Sequence, residues 1–474
     1  MKVKMILPSL TEAGSPFWRP IKYSLFPPLG LATLAGFLTT DDEISLIDEH
    51  VEKLTLGDKP DLVIIQLYIT NAYRAYRIAD YYRKEGVFVA LGGLHVTTVP
   101  DEAEKHADAI FLGPGEDTFP VFLNDFRNKN PKKRYYSTIR SLENVPSPRR
   151  DLIKRHLYLV PNSIVVSRGC PHHCDFCYKD SFYKGGRNFY TQKVDRVMAE
   201  IDSIPGKHLY FLDDHLFADS KYASMLFDGM KGMNKVFQAA GTVKSVLEGD
   251  LIEKAHIAGL RSLFVGFETL TAENLRSNNK IHNLNYIYTK AIERLQSLKI
   301  MINASFVFGF DSDNKDVFAQ IIDWAIEHAV TTATFHILTP YPGTKLYDSL
   351  LGQNRIITRN WDLYDTRHAV FQPKYLTREE LETGYWWSYV KFYKMNNIFR
   401  SVLKHDSLTQ AMRHLIYTVG WKKMELLWKI IIQSRHLAKM RPVLESLLNG
   451  IQPVPQKEII MNDIRNTNID KQRA

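Results

Sequence analysis

The sequence predicts an α/β protein whose two parallel sheets are followed by a mainly helical C-terminal part. Three observations predict this fold class: alternating apolar and helical stretches in the first 115 residues, six further strand-like runs between residues 163 and 340, and fading strand signals after Leu350. Strands that alternate with helices are typical of parallel sheets built from βα units. We therefore expect domains at residues 1–140, 150–350 and 351–474.

The first domain contains five short apolar runs, each rich in β-branched or aromatic residues and bounded by turn residues. Such runs are typical of strands buried on both faces. They are VKMILP, ISLID, LVIIQLY, VFVALGG and AIFLG, and the helical stretches PPLGLATLAGFLTT and AYRAYRIADYYRKEG lie between them. A Rossmann-like open sheet binds its ligand beyond the carboxyl ends of its strands. We therefore expect residues 92–93 and 113–116 to face a ligand.

A polar, proline-bearing link at about residues 124–155 separates the first domain from a second run of strands and helices. Six βα repeats predict an open partial (β/α)6 barrel, with the chemistry at the carboxyl ends of its strands. The six strands are SIVVSRG, HLYFLDD, FQAAGT, SLFVGFE, INASFVFGF and TATFHILTP. The cysteines of the chain lie at the end of the first of them.

The C-terminal part has two aromatic stretches with helical periodicity and predicts a mainly helical cap. They are ELETGYWWSYVKFYKMNNIF and TVGWKKMELLWKIIIQSRHLAKM. The second stretch is basic and amphipathic, so it could bind the surface of a membrane. Packing against the barrel of its own chain explains the same pattern better.

The composition is that of a globular protein without a membrane-spanning segment or a secretory signal. No apolar run reaches the ~18 residues of a spanning helix, and the N-terminal stretch MKVKMILPSLTEAG turns polar too early for a signal peptide. Three cysteines form at most one disulfide, so we expect a reducing, cytoplasmic environment. The net charge of +9 is compatible with an anionic partner, but no segment combines aromatic and basic residues densely enough to predict nucleic-acid binding.

All three cysteines, Cys170, Cys174 and Cys177, lie within eight positions in the stretch SRGCPHHCDFCYK. Their spacing, C-x3-C-x2-C, supplies three thiolates, which leave one iron of a four-iron cluster open to an exogenous ligand. Zinc is the main alternative, because His172 or His173 would complete a set of four nitrogen and sulfur ligands. Structural zinc sites usually take their ligands from separated segments, which favours the iron–sulfur cluster.

The segment CPHHCDFC resembles the signature of radical S-adenosylmethionine (SAM) enzymes. The resemblance implies a partial (β/α)6 barrel, a [4Fe-4S] cluster on the three cysteines, SAM on the open iron and Phe176 near the adenine. It also implies SAM contacts from Asp213 and Asp214, which end the second barrel strand, and from Glu268, which ends the fourth. A solvated turn explains the two aspartates equally well. The resemblance further implies an external electron donor such as flavodoxin or ferredoxin.

An N-terminal α/β domain with PPLGLATLAGFL, LGGLHVTTVPDEA and FLGPGEDTFP before the cysteines resembles the cobalamin-binding class of these enzymes. The cobalamin contacts that this resemblance implies are His50, Thr70, Gly92, Gly93, Gly113, Gly115 and Glu116. Asp48 and His50 fit the corrinoid pattern Asp-x-His-x-x-Gly, but Lys53 stands where the glycine belongs, and the serine expected near Gln66 is absent. Cobalt without a protein ligand is therefore the alternative to His50.

The region from YPGTKLYDSLLGQNRIITRNW to GYWWSYVKFY resembles a subgroup that includes the hopanoid methylases. The resemblance implies a cobalamin-dependent radical SAM methyltransferase that acts at an unactivated carbon of a largely apolar metabolite: a lipid, a terpenoid, a tetrapyrrole or another natural product. Trp361, Trp386 and Trp387 would bury much of such a substrate, unless they belong to the core. The alternatives are a cyclase or oxidative enzyme without methyl transfer and an RNA-modifying radical SAM enzyme, although cysteines for a second cluster are missing.

Overall fold

The computed structural model describes residues 1–10, 25–284 and 286–420, which form two six-stranded parallel sheets and a helical C-terminal part. The predicted α/β fold class is therefore confirmed. Apart from residues 418–420, the basic stretch TVGWKKMELLWKIIIQSRHLAKM lies outside the described residues. Among the described helices, none combines the length and the apolarity that crossing a bilayer requires.

The first sheet contains the five strands that the sequence predicts and one more. The strands are β1 (Lys2–Leu7), β2 (Glu43–Asp48), β3 (Leu62–Leu67), β4 (Phe88–Gly93), β5 (Ala109–Leu112) and β6 (Arg134–Tyr136). Their order is β2-β1-β3-β4-β5-β6, and β6 lies in the segment that the sequence predicts as a link. The order changes direction between β1 and β3, which is where open α/β sheets bind their ligands.

Helices cover both faces of this sheet because its strands are apolar on both sides. They are α1 (Leu29–Ala35), α2 (Ala72–Lys84), α3 (Leu94–Thr98), α4 (Pro100–Ala103) and α5 (Phe119–Arg127). Helix α2 packs on one face, together with Trp361 and Tyr364 from the C-terminal part. Helices α1 and α5 pack on the other face. The C-terminal part is thus anchored to the first domain as well as to the barrel.

The second sheet is the predicted open partial barrel. This part of the chain has eight strands, of which six form the barrel sheet and two, β8 and β9, form a separate ribbon. They are β7 (Ser163–Ile164), β8 (Ser167–Gly169), β9 (Phe189–Thr191), β10 (His208–Phe211), β11 (Val236–Gly241), β12 (Leu260–Glu268), β13 (Met301–Phe308) and β14 (Thr332–Ile337). The barrel order is β7-β10-β11-β12-β13-β14. The predicted first strand SIVVSRG is split, because β8 leaves the barrel and pairs antiparallel with β9. This separate ribbon carries the chain into the cysteines.

The barrel helices follow the strands in the predicted alternation. They are α6 (Lys179–Phe182), α7 (Val194–Ser203), α8 (Ser220–Met230), α9 (Val243–Leu247), α10 (Leu251–Ala258), α11 (Ala272–Ser277), α12 (Tyr288–Ser297), α13 (Val317–Glu327) and α14 (Lys345–Gly352). Their apolar sides and the strands form one large buried cluster. Short 3-10 helices occur at Ile69–Asn71, Glu104–His106, Arg150–Leu152, Arg155–Leu157, Ile281–Asn283 and Trp361–Leu363.

The C-terminal helices close the free edge of the barrel sheet. They are α15 (Arg378–Phe392), α16 (Met395–Val402) and α17 (Leu408–Thr418). The hydroxyl of Tyr393 accepts from Ala333 N over 3.0 Å and donates to Ala333 O over 2.8 Å. The hydroxyl of Tyr389 does the same for Phe335, over 3.1 and 3.3 Å. Tyr389 on α15 and Tyr393 directly after it therefore satisfy backbone groups of β14 that would otherwise be unpaired at the edge of the sheet.

Candidate functional site

The cysteine loop, residues 170–177, follows β8 and is held by two distant segments of the barrel. Asp175 N donates to Asn278 O over 3.1 Å, and Leu346 N donates to Asp175 O over 3.0 Å. The side-chain amide of Asn279 donates to His173 O over 2.7 Å. These backbone contacts fix the shape of the loop through groups that lie 100 or more residues away.

The three thiols lie close enough to influence one another. Burial raises the pKa of the Cys170 thiol to about 11 and that of Cys174 to about 12, and the charge of Cys177 adds to both shifts. A metal binds the thiolate form and displaces the proton, so a raised pKa does not prevent ligation. The set supplies three sulfur ligands on one short loop.

The donor set fits a cluster with three protein ligands better than a zinc ion. Within the described residues, no three His, Cys, Asp or Glu side chains converge as ligands of a single ion; a four-iron cluster spreads its ligands over separate irons. The two candidate zinc ligands have other partners. His173 Nδ1 lies 2.9 Å from Asp180 Oδ1, and the His172 ring stacks on His282 with 3.7 Å between centroids.

Asp213 lies at the carboxyl end of β10 and holds the strand that leads to the cysteines. Ser167 donates to Asp213 Oδ1 from its backbone N–H and from its hydroxyl, each over 2.5 Å, and Val166 N donates over 3.1 Å. Burial raises the pKa of the Asp213 carboxyl to about 7, although the bonds from Ser167 oppose this shift. The described hydrogen bonds of Asp213 are therefore with Ser167 in β8 and with Val166 directly before it.

Asp214 contacts the residues directly before and shortly after the cysteine loop. Its Oδ2 accepts from Gly169 N over 3.1 Å, and its Oδ1 forms an ion pair with Lys179 at the start of α6. Lys179 also donates to the hydroxyl of Tyr178 over 2.9 Å. The Asp214 carboxylate, after β10, and the Lys179 ammonium group, on α6, thus form an ion pair beside the cysteine loop.

Glu268 ends β12 in a backbone conformation that is unusual for a residue with a side chain. Its φ is +65°, and the register with β13 shifts between Gly266 and Glu268. Such strained residues are concentrated at functional sites. Lys280 Nζ lies 2.5 Å from Glu268 Oε1, with both side chains nearly buried. A Cβ at Gly266 would lie 2.5 Å from the same oxygen, so a side chain at this position would displace the ion pair.

Phe176 lies between the cysteines and an apolar cluster at the ends of β13 and β14. Its ring meets Phe310 edge to face at 6.0 Å between centroids. Val307, Leu338 and Phe371 belong to the same cluster. The ammonium group of Lys280 lies 5.9 Å from the Phe176 ring centroid. The ring therefore joins an apolar surface to the Glu268–Lys280 pair.

Three histidines form a stack beside the cysteine loop. His172 lies between His282 and His215, at 3.7 and 5.5 Å between ring centroids. Burial, followed by the charge of Lys280, lowers the pKa of His282 to about 2, and burial lowers that of His215 to about 3. Within the described residues, the buried Nδ1 of His215 has no hydrogen-bond partner, as expected where a ligand completes the site.

His50 is buried at the carboxyl end of β2, and both its ring nitrogens have protein partners. Nδ1 lies 2.7 Å from Asp48 Oδ1, and Nε2 accepts from Leu10 N over 3.2 Å. The hydroxyl of Tyr158 donates to the other Asp48 oxygen over 3.0 Å. Because Nε2 is an acceptor here, Nδ1 carries the proton. Ligation of cobalt through Nε2 would require the loss of the bond from Leu10.

The other predicted cobalamin contacts all lie at the same carboxyl edge. Thr70 is buried in the 3-10 helix after β3. Gly93 has a φ of +117°, and a Cβ there would collide with the β3 backbone. A Cβ at Gly92, Gly113 or Gly115 would lie between 3.1 and 3.4 Å from neighbouring side chains. The protein's own packing therefore accounts for Gly92, Gly93 and Gly113, whereas a Cβ at Gly115 would make an ordinary contact with Leu34.

An ion pair brings this edge against the barrel. Arg168 Nε donates to Glu116 Oε1 over 2.8 Å, two residues before the first cysteine. Tyr68, at the end of β3, is 43% exposed, and its hydroxyl accepts from Gln66 Nε2 over 3.2 Å. An exposed aromatic ring at the switch point of an open sheet fits an organic cofactor between the two domains.

The sequence reasoning missed several residues of this site. They are Tyr68, Lys179, Lys280, His215 and His282. Lys280 and His282 lie in the polar stretch SNNKIHN, which has no local pattern that separates it from an ordinary loop. Their importance follows from the ion pair and the ring stack, which only the folded chain brings together.

Two protein-family models match the chain. The model described as B12 binding domain matches residues 23–123, and the model described as Radical SAM superfamily matches residues 164–325. These matches confirm the predicted cofactors: cobalamin, SAM and the [4Fe-4S] cluster on which radical SAM chemistry depends.

Three characterised relatives illustrate the similarity. Bacteriochlorophyllide d C-12(1)-methyltransferase from Chlorobaculum tepidum is 29% identical over 75% of this chain and 80% of its own length. Hopanoid C-2 methylase from Rhodopseudomonas palustris is 24% identical over 70% of this chain and 66% of its own. Anaerobic magnesium-protoporphyrin IX monomethyl ester cyclase from Cereibacter sphaeroides is 24% identical over 79% of this chain and 68% of its own length. Methyltransferases and cyclases therefore both match this chain.

Two solved structures share the fold. The cobalamin-dependent SAM radical enzyme OxsB superposes with a TM-score of 0.66 at 14% identity, over all of this chain and 79% of its own. The radical SAM methyltransferase TsrM from Kitasatospora setae superposes with a TM-score of 0.63 at 13% identity, over 92% of this chain and 99% of its own. The arrangement of the two sheets and the helical part is thus a known one.

Proposed function

Because this chain belongs to the radical SAM enzymes that carry a B12-binding domain, we propose that it transfers a methyl group to an unactivated carbon of a largely apolar metabolite. The observation that carries the proposal is the isolated set of three cysteines at the carboxyl end of the barrel, facing the carboxyl edge of the first sheet. The relative that is 29% identical over 75% of the chain is itself a methyltransferase.

The bound cofactors supply what side chains lack: the cluster and SAM supply radical chemistry, and cobalamin carries the methyl group. We assign Cys170, Cys174 and Cys177 to the cluster, since they are the three thiols of the chain. Phe176 offers an aromatic face beside them. Asp213 acts as a positioning residue, because its hydrogen bonds hold the backbone on which the first cysteine depends.

Glu268 and Lys280 are the groups that we assign to the polar end of SAM. A carboxylate and an ammonium group at 2.5 Å offer complementary partners for a ligand that carries an amino group and a carboxylate. Asp214 and Lys179 form a second pair of the same kind near the loop. Both pairs lie at carboxyl ends of barrel strands, where barrel enzymes bind their substrates.

For cobalamin we assign the carboxyl edge of the first sheet. Thr70, Gly92, Gly93, Gly113, Gly115 and Glu116 all lie along that edge. The hydrogen bonds of His50 favour cobalt without a ligand from this histidine. The exposed ring of Tyr68 is the further side chain that we expect near the cofactor.

The substrate that we propose is a tetrapyrrole, a terpenoid or a similarly apolar metabolite, as the relatives suggest. The tryptophans do not support the predicted aromatic lining. Trp361 is buried on the first domain, with Nε1 3.1 Å from Glu102, whereas Trp386 and Trp387 lie exposed on α15. An external one-electron donor, such as flavodoxin or ferredoxin, completes the proposal.

The test begins with the metal content of protein purified without oxygen from cells supplied with cobalamin. We expect about four irons and about one cobalt per chain. The variant Cys174→Ala should lose the iron and form no deoxyadenosine from SAM, whereas the matched variant His173→Ala should keep both. Deoxyadenosine production by Cys174→Ala would refute the assignment of the cluster. Zinc in place of iron in the unmodified protein, lost in His173→Ala, would instead assign the cysteines to a zinc site.

A cyclase or oxidative enzyme is the second candidate, favoured by the similarity to the protoporphyrin cyclase. The product mass separates the two. Methyl transfer adds about 14 Da to the substrate and yields S-adenosylhomocysteine, whereas ring formation adds no methyl group. Deoxyadenosine without S-adenosylhomocysteine would therefore replace the first proposal with the second.

A further inference from the structure

We propose that the outward side of α15, α16 and α17 binds the surface of a membrane that contains anionic lipids. We call this side the apolar face. It consists of nine exposed apolar residues, which are Trp386, Trp387, Val390, Met395, Phe399, Leu403, Leu408, Met412 and Ile416. Binding at this face requires no chemistry at the cofactor site, so the inference stands apart from the proposed reaction.

The spacing of these residues shows two apolar stripes. Met395 and Phe399 on α16 and Leu403 directly after it recur every four residues, and Leu403 is 82% exposed. On α17 the same spacing recurs from Leu408, which is 79% exposed, to Ile416. The inward side of α16 is already filled by residues such as Ile398 and Val402. A surface helix normally presents polar residues to water on its outer side, so two such stripes indicate a docking face.

The charge around the apolar face selects the partner. Between residues 386 and 420 the chain has five basic residues and one acidic residue, Asp406. Arg413 is buried, and Arg400 and Lys404 form ion pairs with Glu327, so Lys391 and Lys394 are the basic residues that the face offers to a partner. The sequence that follows, residues 421–441, has six basic residues and one acidic residue. A second copy of the chain, or this following segment, would bring like charges together at the face. An anionic lipid surface instead gains from each basic side chain close to it.

The residue types also suit the boundary between water and lipid. Tryptophan and phenylalanine are enriched where an apolar layer meets a wet one, and lysine and arginine flank them. The ammonium group of Lys391 lies 5.8 Å from the ring centroid of Trp387, so an aromatic and a basic group share one patch. Since no described helix is able to span a bilayer, the binding that we propose is peripheral.

The test is flotation of the full-length protein, loaded with its cofactors, on vesicles of phosphatidylcholine with or without phosphatidylglycerol. We expect binding only to the anionic vesicles, weakening as salt rises. The triple variant Phe399→Ser/Leu403→Ser/Leu408→Ser should bind at least about a thousandfold more weakly, since each of the three large apolar side chains contributes about tenfold or more when buried. The matched triple variant Leu56→Ser/Ile139→Ser/Ile357→Ser removes exposed apolar residues elsewhere and should bind like the unmodified protein.

A second variant tests the charge. Lys391→Ala/Lys394→Ala should weaken binding to anionic vesicles roughly twenty-five-fold, at about fivefold for each basic residue. Three results would overturn the proposal: an unmodified protein that does not float, a triple variant that floats as well as the unmodified protein, or a dimer in solution that the triple variant dissociates. The last result would assign the face to a second copy of the chain.

Discussion

Arg168 donates to Glu116 over 2.8 Å, and this ion pair joins the loop after β5 to the residue that lies two positions before Cys170. Both side chains are largely buried, so few water molecules screen the pair. The contact links the edge assigned to cobalamin with the loop assigned to the cluster. The ion pair therefore helps to fix the position of one cofactor site relative to the other, although Glu116 and Arg168 lie 52 residues apart in the sequence.

Replacing Glu116 with alanine should destabilise the protein, because Arg168 would remain buried without its carboxylate. Removing one partner of a buried ion pair typically costs about 3 kcal/mol in the free energy of unfolding. Urea unfolding measures this difference, and cobalamin retained through gel filtration measures the link to the first domain. The control Glu143→Ala breaks an exposed pair with Lys193 at the same domain junction and should change neither quantity. Equal behaviour of the two variants would contradict the role of Glu116.

Gly266→Ala should weaken SAM binding while the iron content stays unchanged. The added Cβ would lie 2.5 Å from Glu268 Oε1 and 3.3 Å from Lys280 Nζ, so the ion pair has to move. We expect at least about a tenfold rise in the dissociation constant for SAM, which corresponds to about 1.4 kcal/mol. Equilibrium dialysis with labelled SAM and iron analysis provide the two measurements.

Gly352→Ala is the matched control for this change. Gly352 ends α14, where no atom lies within 4 Å of an added Cβ, and alanine is the better helix former. SAM binding should therefore remain as in the unmodified protein. If both glycine variants bind SAM normally, the Glu268–Lys280 pair does not contact the ligand.

Asp213→Asn should change how stability depends on pH. Burial raises the pKa of this carboxyl from 3.8 to about 7. Between these two values the folded protein keeps a proton that the unfolded chain has released, so stability falls as the pH rises and becomes constant above about pH 7. The variant lacks this titration, and its stability relative to the parent should rise by up to about 1.4 kcal/mol per pH unit in that window.

Urea unfolding at several pH values between about 5 and 8 tests this prediction of pH dependence. The exposed carboxylate variant Asp202→Asn serves as the control, and its stability should run parallel to that of the unmodified protein. Parallel curves for Asp213→Asn as well would show that this carboxyl ionises normally in the folded protein.

Tyr393→Phe should destabilise the barrel without altering its cofactor content. The change leaves the N–H and the carbonyl of Ala333 buried without the hydroxyl that serves both. An unsatisfied buried polar group costs about 1–3 kcal/mol. Thermal unfolding measures the loss, and Tyr375→Phe, at a side chain that is 66% exposed, should unfold at the parent temperature. An unchanged melting temperature for Tyr393→Phe would mean that water replaces the hydroxyl at this edge.

Much of the fold was predictable because strands and helices leave local patterns. The apolar runs around β1, β3 and β12 are short, continuous and bounded by turn residues, and each of them is a strand in the structure. The split of SIVVSRG into β7 and β8 was not predictable, because the pairing of β8 with β9 depends on a partner about 20 residues further along. Strand β6 was not predictable for the same reason, because its three residues form a strand through their pairing with β5.

The sequence by itself determined the α/β fold class and the set of three thiols, since the alternation of strands with helices and the spacing of Cys170, Cys174 and Cys177 are properties of neighbouring residues. The enzyme class and its cofactors followed from the resemblance of these motifs to the cobalamin-binding radical SAM enzymes. Only the tertiary structure decided the partners of Glu268, Asp213 and His50. Each partner belongs to another segment of the chain or depends on the backbone path around it, and strand register and strained backbone bring the two together. No local periodicity encodes such contacts, because their energy depends on burial and on distances that exist only after folding.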